Sequence, residues 1–275
     1  MGYIEELFSM RGKVALFTGG AGVLASTIAL GLARAGMKIA LTDITPTDTV
    51  VGQVRDLGAE VRGYHTNALS RRELTATARQ VMEDFGRVDV LLNAAGGNVK
   101  EATVSPDVSF FDLPLEPMEK VVRLNLFAGA ILPSQVFAPL ISRNREGGSI
   151  INFSSMAAFR PLTRVIGYSA AKAAVSNFTR WLAVHLAKEG FEKVRVNALA
   201  PGFFSTTQNR FLLYEQDGTT LTPRGKAIID HTPAGRFGKA EELIGTVLWL
   251  ASGASSFVTG TVVPVDGGFD AYSGV

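Results

Sequence analysis

Short runs of consecutive apolar residues alternate, from one end of the chain to the other, with longer stretches whose apolar positions recur every three to four residues. Runs of the first kind have strand length and those of the second have helical period. Lys13–Phe17 reads as a strand and is followed by a helix from about Gly22 to Ala35. Lys38–Thr42 is the next strand, and a short helix covers about Thr47–Leu57. Glu60–His65 returns as a strand, and the helix after it places Leu74, Ala78, Val81, Met82 and Phe85 on one face. Val88–Leu92 is a buried strand, Glu116–Ile141 a long helix and Ser149–Ser154 a fifth strand. Tyr168–Lys188 is helical, Val194–Leu199 is strand six, and a helix near Glu241–Ala251 precedes a last strand at Thr261–Val265. Alternation of this kind, with near-continuously apolar strands, predicts an α/β fold with a doubly wound parallel sheet of about seven strands and helices on both faces. Two long stretches, 96–115 and 202–238, read as irregular. Both follow strands, so both are expected over the carboxyl edge of the sheet, where ligands bind.

Length and composition narrow the picture. The chain has 275 residues and 47% apolar content, which suits one large domain over 1–275 with no linker or repeat. A net charge of +2 with scattered basic residues gives no footprint for nucleic acid or a membrane surface. The absence of cysteine excludes disulfides, thiolate catalysis and Cys-rich zinc sites. His65, His185 and His231 are scattered, so no metal site is expected. The first residues are acidic where a signal peptide would be basic, and Glu6 breaks the myristoylation pattern. The longest strongly apolar stretches, such as Leu243–Ala251, are too short to span a bilayer, so a cytoplasmic protein is expected.

Between the first strand and the first helix lies Thr18-Gly19-Gly20-Ala21-Gly22-Val23-Leu24-Ala25. Gly20-x-Gly22-x-x-Ala25 fits the Gly-x-Gly-x-x-Gly/Ala fingerprint of a dinucleotide-binding Rossmann fold. Its glycines let backbone N–H groups approach a pyrophosphate, and the helix N-terminus adds positive potential. Asp43 ends the second strand about twenty residues on, placed to accept hydrogen bonds from an adenosine ribose. A carboxylate there repels a 2′-phosphate, and neither position 44 nor the glycine loop carries Arg or Lys, which favours NAD over NADP. Asp43 can equally serve to cap its own turn.

Tyr168-Ser-Ala-Ala-Lys172 supplies candidate chemistry. A phenol of pKa about 10 is a poor acid–base catalyst alone. A lysine four residues later shares its helix face, and its charge favours the phenolate. With the hydroxyl of Ser155 beside it, the pair can move a proton in a C=O/CH–OH interconversion. Isolated, a Tyr-x-x-x-Lys pair is more often a surface contact.

Taken together, these motifs make the chain resemble the classical type of short-chain dehydrogenases/reductases along essentially its whole length. The matching pieces are the Thr18–Ala25 loop, Asn93-Ala94-Ala95-Gly96, Asn125, Ser154-Ser155, Tyr168–Lys172, Pro201-Gly202 with Thr206, and Val258-Thr-Gly260 through Val265-Asp-Gly-Gly268. The resemblance implies Tyr168 as general acid or base, Lys172 lowering its pKa and holding the nicotinamide ribose, and Ser155 orienting the substrate oxygen. It also implies a water on Asn125 linking Lys172 to solvent. Gly19, Gly20, Gly22, Val23, Leu24, Asn67, Ala68, Asn93, Ala94 and Ala95 would surround the cofactor. Pro201, Gly202, Phe204 and Thr206 would meet its carboxamide end. Two departures stand out: Val23 and Ala25 occupy later glycine positions of the family loop, and Asn67 stands where Asp is common.

Within that family several stretches look most like the D-mannonate oxidoreductases, also called fructuronate reductases. These are Ser155–Leu162, Pro201–Arg210, Leu221–Gly225, His231–Gly238 and Ala271–Val275. The implied reaction interconverts D-mannonate and D-fructuronate with NAD. Asn98, Arg160, Gln208, Asn209 and Arg210 independently suit a polar anionic small molecule, since guanidinium binds carboxylate and amides suit hydroxyls. Singly, each is as well explained as a solvated loop residue. Other readings are the same chemistry on another carbonyl, as in gluconate 5-dehydrogenase or 3-oxoacyl carrier-protein reductase, or a non-catalytic NAD-sensing protein. The apolar faces of Glu116–Ile141 and Tyr168–Lys188 exceed what one sheet needs, and related enzymes pair these helices, so a homotetramer or homodimer is expected.

Overall fold

The computed structural model describes residues 2–206 and 210–274. Seven strands form one wholly parallel sheet in the order β3-β2-β1-β4-β5-β6-β7. They are β1 (Val14–Thr18), β2 (Lys38–Asp43), β3 (Val61–His65), β4 (Val90–Asn93), β5 (Gly148–Phe153), β6 (Val194–Pro201) and β7 (Val262–Val265). β1 and β4 are buried throughout because both faces of the sheet are covered, whereas edge strand β3 buries Val61 alone. Pro264 is tolerated in β7 because that strand is the other edge, with a ladder to β6 on one side.

The helices are α1 (Tyr3–Phe8), α2 (Val23–Arg34), α3 (Asp48–Asp56), α4 (Arg71–Phe85), α5 (Leu115–Val122), α6 (Leu132–Ile141), α7 (Ile166–Lys188), α8 (Arg210–Leu213), α9 (Pro223–Asp230) and α10 (Glu242–Ala251). Burial divides into two cores, one on each face of the sheet. Ile28 and Leu32 of α2 and Val247 and Leu250 of α10 pack beneath Phe17, Leu41 and Ile151. Leu74 and Val81 of α4, Phe137 of α6 and Leu182 and Leu186 of α7 pack on Leu16, Leu91 and Ile150. The alternating side-chain direction of the strands sends neighbouring residues to opposite cores.

Three expectations change. The predicted helix Glu116–Ile141 is one continuous rod, Leu115–Ile141, with its middle, Arg123–Ile131, wound as a π-helix. Pro133 lacks the N–H that would reach back to Gly129, and the turn widens there. This rod also corrects the membrane reading. Its 27 residues are long and apolar enough to cross a bilayer, but half of its apolar window is buried inside the fold. Third, the described residues of the 202–238 segment are not wholly irregular. It carries α8 and α9 and a small core of Leu213, Ile228 and Phe237, against which Phe203 packs. Thr222 caps α9 by accepting from Gly225 N–H at 3.0 Å, and Pro223 follows at the first turn. The acidic N-terminal stretch, for which no element was expected, forms α1.

Candidate active site

β1 and β4 are neighbours, although the chain leaves them toward opposite halves of the sheet. The crevice that such a reversal opens lies over the carboxyl ends of the strands. Two cavities occupy it. An inner one of about 480 Å³ is lined by Val23, Leu24, Ser155, Tyr168, Lys172, Pro201, Gly202, Phe204 and Thr206, among others. An outer one of about 360 Å³ is lined by Asp43, Ile44, Asn67, Ala68 and Leu69. Gly19, Gly22, Ala94 and Gly96 border both, so the two adjoin at the glycine loop.

Close packing explains the loop. A Cβ on Gly19 would stand 2.7 Å from the Ala95 backbone, and the residue has φ +67° besides. Gly22 caps α2 without any side-chain bond, so the first N–H groups of that helix stay open toward the seam. Uncapped donors and the positive end of the helix dipole make the seam suited to a pyrophosphate. Val23 and Ala25 face the inner cavity without closing it, so the departure from the family loop leaves the cleft intact. Gly20 does a different job: its N–H bonds Thr42 O at 3.1 Å, and its missing Cβ makes room for Leu41.

Asp43 caps its own turn at the edge of the outer cavity. One carboxylate oxygen accepts from Ala21 N–H at 3.0 Å and the other from Thr45 N–H at 2.9 Å, which fixes the side chain at the mouth of the outer cavity. The carboxylate thus caps its turn and still presents negative charge to that space. Asn67 Oδ1 accepts from Leu69 N–H at 2.9 Å and retains a second lone pair for a ligand. Asn93 is fully buried and lines neither cavity. Its amide donates to Asn152 Oδ1 at 2.8 Å and Ser134 Oγ at 3.2 Å, tying β4 to β5 and α6, while its Oδ1 has no partner among the described residues.

Ser155, Tyr168 and Lys172 converge in the inner cavity. The Ser155 Oγ accepts from Ala157 N–H at 3.1 Å and hydrogen-bonds the phenol. The Lys172 Nζ donates to Phe153 O at 2.7 Å and lies 5.6 Å from the Tyr168 ring centroid. Lys172 is only 4% exposed, and that burial pulls its ammonium down to about 8. The phenol differs from expectation. Burial pushes it above its ordinary value, and the Ser155 hydrogen bond pulls it back only in part. Within the protein alone, desolvation of the phenolate outweighs the nearby cation.

Asn125 sits in the π-wound turn, where its amide donates to Gly97 O at 2.6 Å and Val121 O at 2.8 Å. Its Oδ1 accepts from Gly97 N–H at 3.1 Å. A Cβ on Gly96 would fall 2.7 Å from that Oδ1 and 3.3 Å from Lys172 Nζ, so Asn125 and Lys172 approach one another at this glycine. Gly129 permits the approach, since a Cβ there would press within 2.5 Å of Ala95 O.

The candidate substrate residues separate. Asn98 lies on the rim of the inner cavity. Arg160 instead donates twice to Asp270 O, at 3.1 and 2.8 Å, and pairs with its carboxylate at 3.2 Å. Arg210 donates to Gly218 O at 2.7 Å and covers the Tyr214 ring at 4.8 Å. Gln208 and Asn209 lie outside the described residues. Sequence reasoning passed over Ala21, Ile44, Gly97 and Phe203, which also line the cavities. Ile44 carried a signal in its place directly after Asp43, and the structure leaves this large apolar side chain 62% exposed at the outer cavity.

Comparison with known proteins agrees with this geometry. A family model described as enoyl-(acyl carrier protein) reductase matches residues 20–270. The uncharacterized oxidoreductase UxuB of Bacillus subtilis is 46% identical, covering 97% of this chain and 98% of that protein. The 2-dehydro-3-deoxy-D-gluconate 5-dehydrogenase of Dickeya dadantii is 34% identical over 97% and 98%. Among solved structures, a "putative D-mannonate oxidoreductase" from Haemophilus influenzae with bound NAD superposes with a TM-score of 0.90. It is 43% identical, with 97% of this chain and 98% of that one covered.

Proposed function

On the premise that the chain belongs to the short-chain dehydrogenases/reductases, oxidoreductases acting on CH–OH groups, we propose that it is an NAD-dependent sugar-acid oxidoreductase interconverting D-mannonate and D-fructuronate. The observation that carries the reading is the meeting of Ser155, Tyr168 and Lys172 at the inner end of a glycine-walled dinucleotide cleft. The NAD-bound relative named for D-mannonate supports the substrate, and the Asp43 carboxylate supports NAD over its 2′-phosphorylated form.

NAD, when bound, supplies the hydride-accepting ring. The Asp43 carboxylate would receive the adenosine ribose, the open end of α2 would receive the pyrophosphate, and Lys172 would hold the second ribose. Ser155 Oγ holds the substrate oxygen beside Tyr168 Oη. In oxidation Tyr168 takes the hydroxyl proton as the C–H bond gives up its hydride, and in reduction the phenol returns a proton to the carbonyl oxygen. The Lys172 ammonium favours the phenolate at that moment, and its own value of about 8 suits it to pass a proton onward through water at Asn125. Asn98 meets a sugar hydroxyl at the rim. Exposed Phe127, Ile166, Trp181 and Val184, on the outer faces of the π-wound segment and α7, support a homotetramer or homodimer.

A panel of aldonates, hexuronates and ketoacids, followed by nicotinamide absorbance with NAD(H) and NADP(H), tests the reading. Turnover of mannonate or fructuronate with NAD(H) is expected, and turnover confined to gluconates or acyl ketones would replace the substrate. Tyr168→Phe should abolish turnover while sparing NAD binding.

A further inference from the structure

Beyond β7 the chain folds into a tight turn organised by Asp266. One of its carboxylate oxygens accepts from Gly268 N–H at 2.9 Å and the other from Asp270 N–H at 2.8 Å. Tyr272 N–H then donates to Gly268 O at 3.1 Å. Gly267 and Gly268, at φ +66° and +90°, allow the chain to bend this sharply. Three contacts join the turn to separate parts of the cleft. Phe269 packs edge-on against Phe203, with ring centroids 5.3 Å apart, and Phe203 lines the inner cavity. Gly267 O accepts from Ala234 N–H at 3.0 Å, just past the end of α9. The third contact is the clasp of Arg160 on the carbonyl and carboxylate of Asp270.

Arg160 closes the short turn that carries Ser155. Its N–H donates to Met156 O at 3.0 Å, and in the same turn Ala157 N–H donates to Ser155 Oγ at 3.1 Å. That hydroxyl is the one bonded to the phenol of Tyr168. Residues 160–165 then run without helix or strand up to α7. Among the described residues, two sets of hydrogen bonds fasten this stretch to other parts of the chain. One is the Arg160 clasp, and the other runs from Val104 N–H to Arg164 O at 2.9 Å. The Arg160–Asp270 pair is half-exposed, and such pairs add little to the stability of a whole domain. What it fixes is local: the place of the Ser155 turn against the C-terminal turn and the Phe203 wall.

We propose that Arg160 and Asp270 are positioning residues, whose clasp straps the C-terminal turn to the β5–α7 connection and so holds the Ser155 hydroxyl where the reaction needs it. The inference rests on Ser155, Tyr168 and Lys172 being the reacting group, and it gives Arg160 no contact with the substrate. Arg160 acts through the Met156 turn on Ser155, while Phe269 supports the facing wall through Phe203. A small misplacement of an orienting hydroxyl slows the chemical step without weakening the grip on the cofactor.

The test compares wild type with Arg160→Gln, Arg160→Lys, Asp270→Asn and the double variant Arg160→Gln/Asp270→Asn. Each is assayed with NAD and mannonate, or with whichever CH–OH substrate the wild type oxidises. Arg160→Gln should lower kcat by about threefold to tenfold, with substrate KM, NAD affinity and melting temperature nearly unchanged. Asp270→Asn keeps the carbonyl bonds and should show a smaller loss of the same kind. The double variant should be no slower than Arg160→Gln, because both changes break one clasp, and Arg160→Lys should recover part of the loss. Hydrogen exchange gives a readout independent of turnover: amides 268–272 should exchange faster in Arg160→Gln, with the sheet unaffected. An unchanged kcat, unchanged exchange, or a kcat loss matched by a lower melting temperature would overturn the strap. So would a KM rise in Arg160→Gln that Asp270→Asn does not share, since that would return Arg160 to the substrate. A wild type inactive on sugar acids but active on another alcohol would overturn the substrate reading alone, and one inactive on every alcohol would overturn the catalytic reading and the strap together.

Discussion

Lys172→Met should stabilise the fold while destroying the enzyme. The Lys172 ammonium is 4% exposed, and burial lowers its value from 10.5 to about 8. An unfolded chain therefore binds the proton more tightly than the folded one. Below pH 8 both states are protonated, and the fold bears the whole penalty. At about 1.4 kcal/mol per unit this is about 3 kcal/mol at neutral pH. Between pH 8 and 10.5 the folded protein sheds the proton first and the penalty fades, so wild-type stability gains relative to a variant without the amine. The advantage of Lys172→Met should fall from about 3 kcal/mol at pH 7 to about 1.4 kcal/mol at pH 9.5. The lost hydrogen bond to Phe153 O, worth about 1 kcal/mol, lowers both figures equally and leaves their difference untouched. Urea unfolding of both proteins at the two pH values measures the gap. Parallel stabilities at pH 7 and 9.5 would refute a desolvated lysine, whatever the absolute values.

Other consequences concern separate parts of the cleft. Asp43→Asn removes the charge and, because an amide has a single acceptor oxygen, one of the two turn bonds as well, so NAD affinity should fall severalfold and NADP affinity rise, narrowing the preference by about tenfold or more; titration by fluorescence with each cofactor reads this. An unchanged preference would mean that Asp43 only caps its turn. Gly96→Ala drives a methyl between Asn125 Oδ1 and Lys172 Nζ and should lower kcat by about a hundredfold with a near-normal melting curve; full activity would show that the two groups do not act together. Ser155→Ala removes the hydroxyl that holds the phenol and should cost about a hundredfold or more in kcat, with NAD binding preserved in calorimetry.

Much of this was legible before any coordinates. The central strands announced themselves because a strand covered on both faces is apolar along nearly its whole length, as Val14–Phe17 and Val90–Leu92 are. The catalytic pair was readable because helix geometry sets Tyr168 and Lys172 on one face. Short elements were not readable. α8 has four residues and α9 eight, too few for a period to emerge, and their core forms only when Leu213, Ile228 and Phe237 meet. The π-wound turn had its clue in Pro133, but a proline also starts ordinary helices.

Charge pairing was the least legible feature. Arg160, Arg164, Arg210 and Arg224 look alike in a sequence, and which of them is free depends on where Asp270 and Gly218 come to rest. The phenol of Tyr168 teaches the same lesson, since spacing promises a neighbouring cation but says nothing of how deeply the ring is buried. By itself, the sequence determined the alternation of elements, the glycine loop, the acid at the end of β2 and the candidate catalytic residues, because these are encoded locally in period and spacing. Only the tertiary structure decided which guanidinia are held by the protein's own groups, and which way each buried group's proton affinity moves. Both depend on partners and solvent brought in from distant parts of the chain.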